Sequence, residues 1–240
     1  MTAVTISPLE ALSAHFDACA LAKTPRKVWW RDDDATRCGV RLNALAATAE
    51  AAGAPLALAA IPAYLEPTLI DWAADHNIAI LQHGVAHTNH EPTGKAMELG
   101  PARPVEALVA ALVAARPSGA TCLPVLVPPW NRMRPDLAPA LSKAGYRGLS
   151  RFGNAASAGP PRQVDTHIDP IAWRTTRSLP SPDVLSAMVA AAIAQEGPIG
   201  LLTHHIVHDA AIDGFVEGFA TLVATHPGAA WASAAEVFGL

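Results

Sequence analysis

The runs Leu56-Ala57-Leu58-Ala59-Ala60-Ile61 and Leu123-Pro124-Val125-Leu126-Val127 are apolar at every position, with no polar residue on alternate sites. A strand of this kind has no face to offer water and must be covered on both sides, as the strands of a parallel sheet are. Helical segments flank each run: Val40 to Ala52 closed by Gly53, Pro67 to Asp75, Pro104 to Ala115, Pro135 to Ala144 stopped by Gly145, Pro182 to Glu196 stopped by Gly197-Pro198, and Ala210 to Thr225. Further strands are expected at Val28 to Arg31, Ile78 to Gln82, Arg147 to Ser150 and Ile199 to Thr203, with an extended piece from Gln163 to His167. This alternation predicts an α/β chain, and its seven or eight units predict a barrel rather than an open sheet. Ahead of it, Ser7-Pro8-Leu9-Glu10 reads as a capping box that starts a helix running to about Ala22, with Leu9, Leu12, Phe16 and Cys19 toward the body of the domain.

With 51% hydrophobic residues over 240 positions, the chain can bury one large core, so residues 1–240 are read as a single domain with the 1–24 helical segment packed on it. Gly153 to Pro161 is read as a surface loop. A formal charge of −4 and the absence of any Lys/Arg run argue against nucleic acid as a partner. No apolar run approaches the roughly 20 residues that span a bilayer, so no membrane partner is expected. Met1 to Ser7 lacks a basic head followed by an apolar stretch, so the expected location is cytoplasmic. Cys19, Cys38 and Cys122 are odd in number and far apart, which implies neither a disulfide framework nor a Cys-x-x-Cys zinc site; they are expected to be small core residues.

The unusual polar residues all follow strands. Asp32-Asp33-Asp34 follow the first, His83 and His87 the third, and Pro128-Pro129-Trp130-Asn131 the run ending at Val127. Asp165 to Asp169 lie in the extended piece, and His204-His205 follow Ile199 to Thr203. In a β/α barrel, loops at the C-terminal rim converge and carry chemistry. Three adjacent carboxylates are costly to fold around unless a cation, a proton or several donors answer them. Two imidazoles at i and i+4 on one helical turn can reach a single cation, and Asp plus two His leaves an open position, the composition of a catalytic rather than a structural zinc site. A solvated acidic turn and a merely His-rich loop, with His90 nearby, stay open as the bland alternatives.

The order Asp-Asp, His-x-x-x-His, Pro-Pro-aromatic, Asp…Trp and Leu-x-His resembles the polysaccharide deacetylase family, the NodB homology domain or carbohydrate esterase family four, from about Val28 to Leu240. The resemblance implies a distorted (β/α) barrel of seven or eight strands that holds Zn2+ or another divalent transition metal and removes acetyl groups from N-acetylated sugars. It implies Asp33 as general base, and Asp34, His83 and His87 as metal ligands. It also implies Trp130 as the backbone donor to the oxyanion, and His204 in Leu202-Thr203-His204 as general acid. The register is set at Asp33 and Asp34 because Ala35 then stands at the family's small Gly position, where Asp34 would otherwise crowd the turn. This chain departs from the pattern where Val127 replaces a common Arg before Pro-Pro and Gly84 replaces a common Ser/Thr; Arg31, Arg132 and Arg174 are candidates to stand in for the Arg.

Other prominent residues receive packing roles. Trp29, Trp30, Trp72 and Trp231 are read as core or rim, whereas Trp130 and Trp173 lie in motif loops; Cys38 is read as packed, and His205 as capping a loop. The expected function is a metal-dependent deacetylase acting on the amide bond of an N-acylated saccharide, soluble rather than a cell-wall polymer. The alternative is a non-catalytic metal- or carbohydrate-binding or regulatory protein on the same fold.

Overall fold

The computed structural model describes residues 7–153 and 159–240. It begins with α1 (Pro8–Leu21), capped by Ser7 and Glu10 in the expected capping box, with Leu12 and Phe16 fully buried. Then come β1 (Arg26–Ala35), α2 (Val40–Ala51), β2 (Leu56–Ala60), α3 (Pro67–Asp75), β3 (Ala79–His83), α4 (Val105–Ala114), β4 (Cys122–Val127), α5 (Leu137–Lys143) and β5 (Gly148–Leu149). The chain closes with β6 (Arg162–Gln163), α6 (Pro182–Ala194), β7 (Ile199–Thr203), α7 (Ala210–Thr225), β8 (Ala229–Trp231) and α8 (Ala234–Phe238). The sheet order is β6-β5-β4-β3-β2-β1-β7, and every ladder is parallel. The sheet curls. Past β6 the chain bridges Thr166 to Phe152 on one side and Ile168 to Leu201 of β7 on the other, bringing the two ends of the curl together.

Because side chains alternate across a strand, each apolar run serves two layers at once. Leu56, Leu58 and Ala60 pack outward with Trp30, Ile80 and the helices, while Ala57 and Ala59 point inward with Trp29, Leu81, Val125 and Val127. Small inward residues on β2 leave room for the indole of Trp29. On β1 the same period sends Trp30 and Asp32 outward and Trp29, Arg31 and Asp33 inward.

Three expectations need correction, and two elements were not expected. The first strand does not end at Arg31: β1 continues through all three aspartates, because Arg31, Asp32 and Asp33 each find a buried partner and stay in the ladder with β2. The extended piece from Gln163 to His167 is a ladder strand only at Arg162–Gln163, the rest holding by single bridges. The three cysteines are free and half-buried, with Cys38 and Cys122 against the outer core and Cys19 beside His15 at 3.6 Å. β8 and α8 went unforeseen, although Ser233 and Glu236 form a capping box. Phe238 of α8 packs edge-on against Trp29 at 5.7 Å and 87° and crowds Gly148, so α8 covers the mouth of the curl opposite the aspartates. Of the expected loop Gly153 to Pro161, residues 154–158 lie outside the described residues.

Candidate metal and hydrolytic site

Three neighbouring carboxylates on β1 meet three different environments. Asp32, on the outward side, accepts hydrogen bonds from the Thr203 hydroxyl at 2.7 Å and the His205 N–H at 2.9 Å, and pairs with His205 Nδ1. Burial alone would lower the pKa of His205, but the hydrogen bond and charge of Asp32 carry it above the ordinary value. Asp33, on the inward side, is held by two parallel bonds from Arg31, Nε to Oδ1 at 2.8 Å and a guanidinium nitrogen to Oδ2 at 3.0 Å. The same fully buried guanidinium also donates to Ser150 and to Asn131 Oδ1, so its fork is fixed from the residue after β5 and from the loop after β4.

Asp34 belongs to neither face. Between Asp33 and Ala35 the ladder slips, two residues of β1 standing against one of β2, and Asp34 takes a left-handed φ of 69°. Such a bulge re-aims a side chain, and here the carboxylate reaches the rim, with Oδ1 3.3 Å from His83 Nε2 and 3.5 Å from His87 Nε2. Among the described residues, these three side chains are the group whose ligand atoms all lie within 4.8 Å of one another.

The site's own chemistry fits a cation. His83 Nδ1–H donates to the Val127 carbonyl at 3.0 Å, which leaves Nε2 with its lone pair toward Asp34. Asp34 Oδ1 is buried and has no hydrogen-bond partner. With His83 neutral, acceptor faces acceptor across 3.3 Å. Ligands about 2.0–2.1 Å from a tetrahedral zinc stand roughly 3.3 Å apart. The titration tendencies of Asp34 and His87 suit ligands, whereas that of His83 describes the pair before an ion displaces its proton. Burial opposes charge on Asp34, but His83 and the nearby imidazoles bring it down to about 2. Burial also opposes charge on His83, but Asp33 and Asp34 outweigh it and raise His83 above the ordinary imidazole, so an ion bound there would have to displace a proton from Nε2. Burial and the adjacent His83 hold His87 below that value, so its lone pair stays free.

The His83 to His87 segment is not a helical turn, contrary to expectation. His83 ends β3, Gly84 turns at φ 61°, and His87 itself sits at φ 53°, so a loop brings the two rings to 5.1 Å. Trp130 packs on His87 at 4.3 Å and also has a left-handed φ, 54°. Because Pro128 and Pro129 have no N–H, Trp130 carries the first backbone donor after β4.

At the end of β7, His204 lies edge-on to Trp173 at 4.6 Å, and its Nδ1 is buried without a partner. Trp173 Nε1 donates to Asp169 at 2.8 Å. Burial raises the Asp169 pKa from 3.8 to about 6. A raised folded pKa means that the fold favours the protonated acid, so this contribution is intact below about pH 4 and lost as pH climbs through 6. In chelator-treated protein, the unfolding free energy of the wild type relative to Asp169→Asn should fall by about 3 kcal/mol between pH 4 and 8. Urea titrations at both pH values check this, and a pH-independent difference would contradict it.

No protein-family model matches the sequence. No curated protein matches it either. Solved structures do. A protein of Mycobacterium smegmatis described as a polysaccharide deacetylase superposes with a TM-score of 0.65 at 13% identity, covering 89% of this chain and 88% of that one. A family 4 carbohydrate esterase from Streptomyces lividans, in complex with acetate, gives 0.56 at 16% identity over 87% and 91%. A peptidoglycan deacetylase of Bacillus subtilis gives 0.56 at 11% identity over 89% and 90%. This is the polysaccharide deacetylase fold.

Within the deacetylase fold, all six candidate residues, Asp33, Asp34, His83, His87, Trp130 and His204, lie at the C-terminal ends of strands or in the loops that follow them. Arg31 pairs with Asp33, whereas Arg132 donates to the Ala96 carbonyl. Sequence reasoning placed Asn131 on the rim without its bond to Arg31, and missed Ser150, which also holds Arg31, and Glu98, which carries no motif. His205 does more than cap a loop, since it grips Asp32.

Proposed function

We propose that the chain is a divalent-metal-dependent hydrolase that removes an acyl group, acetyl in the first instance, from an N-acylated saccharide. The observation that carries this reading is the convergence of Asp34 Oδ1 and two imidazole nitrogens beside an Arg-clamped Asp33. Asp34, His83 and His87 would hold the ion. A bound zinc or similar ion supplies Lewis acidity to the attacking water and to the carbonyl.

The remaining work belongs to the chain. Asp33 accepts the proton of the attacking water, its carboxylate plane set by the two Arg31 bonds. The Trp130 N–H is the donor for the developing oxyanion, carried on a residue with left-handed backbone in the loop after β4. His204 delivers a proton to the departing amine, which leaves poorly as an anion. Trp173 and Asp169 back the imidazole from the far side. Acetate, held by the Streptomyces lividans esterase, is the acyl product such a reaction releases.

The test is acetate release from a panel of N-acetylated oligosaccharides, with protein as purified, chelator-treated, and re-supplied with zinc. Release that disappears on chelation and returns with zinc supports the proposal. Full zinc loading with no release from any member would favour the non-catalytic binding protein.

The Arg31 fork gives a further expectation. Arg31→Lys keeps the charge but loses the paired geometry at Asp33, and turnover should fall about tenfold or more while zinc content holds. Unchanged kcat would show that Asp33 needs no clamp.

A further inference from the structure

Glu98 lies in the loop between β3 and α4, outside every motif, yet it is only 2% exposed. Among the described residues no Lys, Arg or His nitrogen pairs with its carboxylate. Its partners are backbone donors instead: Val85 N–H reaches Oε2 at 2.9 Å, Ala86 N–H reaches Oε1 at 2.7 Å, and Thr88 N–H reaches Oε1 at 3.4 Å. These N–H groups come from the turn that carries His87. Successive N–H groups in a turn containing left-handed residues form a concavity that binds an anion, and here the anion is a side chain of the same chain.

The turn needs holding. His87 is a non-glycine residue at φ 53°, a conformation that persists only where its surroundings impose it. The fit is close at the other end too: a Cβ on Gly84 would stand 2.0 Å from Glu98 Oε2 and 2.5 Å from Pro129 Cγ. This explains why glycine replaces the Ser/Thr of the resembled family.

We propose that Glu98 is a positioning residue for the metal centre: its buried carboxylate gathers the N–H groups of Val85, Ala86 and Thr88 and so fixes His87 where its Nε2 meets Asp34 and His83. The inference rests on the metal reading of the site. Glu98 touches no ligand side chain; it acts on His87 through the backbone.

The experiment measures zinc Kd by competition with a chromogenic chelator, for wild type, Glu98→Ala, Glu98→Gln, His87→Ala and the Glu98→Gln, His87→Ala double variant. Visible spectra of the cobalt-loaded proteins accompany it. Groups that orient a ligand are typically worth about 10- to 100-fold in metal affinity. Glu98→Gln keeps the volume but turns an N–H₂ toward backbone donors, and should weaken zinc about tenfold with an altered cobalt spectrum; Glu98→Ala should lose more. If the Ala variant does not fold, the Gln variant carries the same reading. In the His87→Ala background the Glu98 change should add nothing to Kd. A wild type that binds no zinc would remove the metal reading and this inference with it. A wild type that binds zinc, with Glu98→Gln matching it in Kd and cobalt spectrum, would overturn the inference alone. Full additivity in the double variant would also overturn it.

Discussion

Asp33→Asn should leave one equivalent of zinc bound and lower turnover of an N-acetylated substrate by about 10²- to 10⁴-fold, the usual contribution of a general base. Asn has the same shape and can still accept from Arg31, but it cannot take up a proton. The three aspartates of β1 allow a sharp comparison, because each has its own partners. Asp34→Asn should strip the metal, since its Oδ1 is the oxygen that meets His83 and His87. Asp32→Asn should fall mainly on stability, by about 1–3 kcal/mol, because Thr203 and His205 lose a buried acceptor. Zinc content, acetate release and urea unfolding on the three variants decide the matter. If Asp33→Asn loses zinc while Asp34→Asn keeps it, the register is shifted by one residue and Asp32 becomes the base.

His204→Ala should keep zinc and slow amide hydrolysis by about 10²- to 10⁴-fold, the range for a positioned proton donor. The discriminating measurement is leaving-group dependence. An activated ester releases a stable anion and needs no proton, so its hydrolysis should suffer far less than that of an amide. Equal losses on both would assign His204 a positioning role. His205 serves as the control. Its Nδ1 is committed to Asp32, so His205→Ala should lower stability and treat amide and ester alike.

What could be read from sequence follows from which interactions are local. The apolar runs of β2 and β4 must be covered on both faces, so the β/α alternation and most helix limits were legible within one or two residues. The Asp-Asp and His-x-x-x-His motifs pointed to the rim because each ends a strand. Two things were not legible. A bulge at Asp34 depends on the register with β2, a pairing that no local pattern reveals. The His83 to His87 spacing looks helical, but Gly84 and a carboxylate from Glu98 make it a loop. The clamp on Asp33 was legible as one of three candidates: Arg31 sits two residues away on the same strand, where period-two alternation places it on the same inward face. That last signal was available, since the spacing i to i+2 is itself the geometry. The capping box at Ser233 and Glu236 was also present but unread, so the covering helix α8 went unforeseen.

The central claim is that Asp34, His83 and His87 hold one ion. Anomalous scattering at the zinc edge, from crystals grown with zinc, tests it directly. The account predicts one strong peak about 2.0–2.2 Å from Asp34 Oδ1, His83 Nε2 and His87 Nε2, lost in crystals of His83→Ala. A peak elsewhere on the rim, or none while the three side chains keep their present separations, would contradict it.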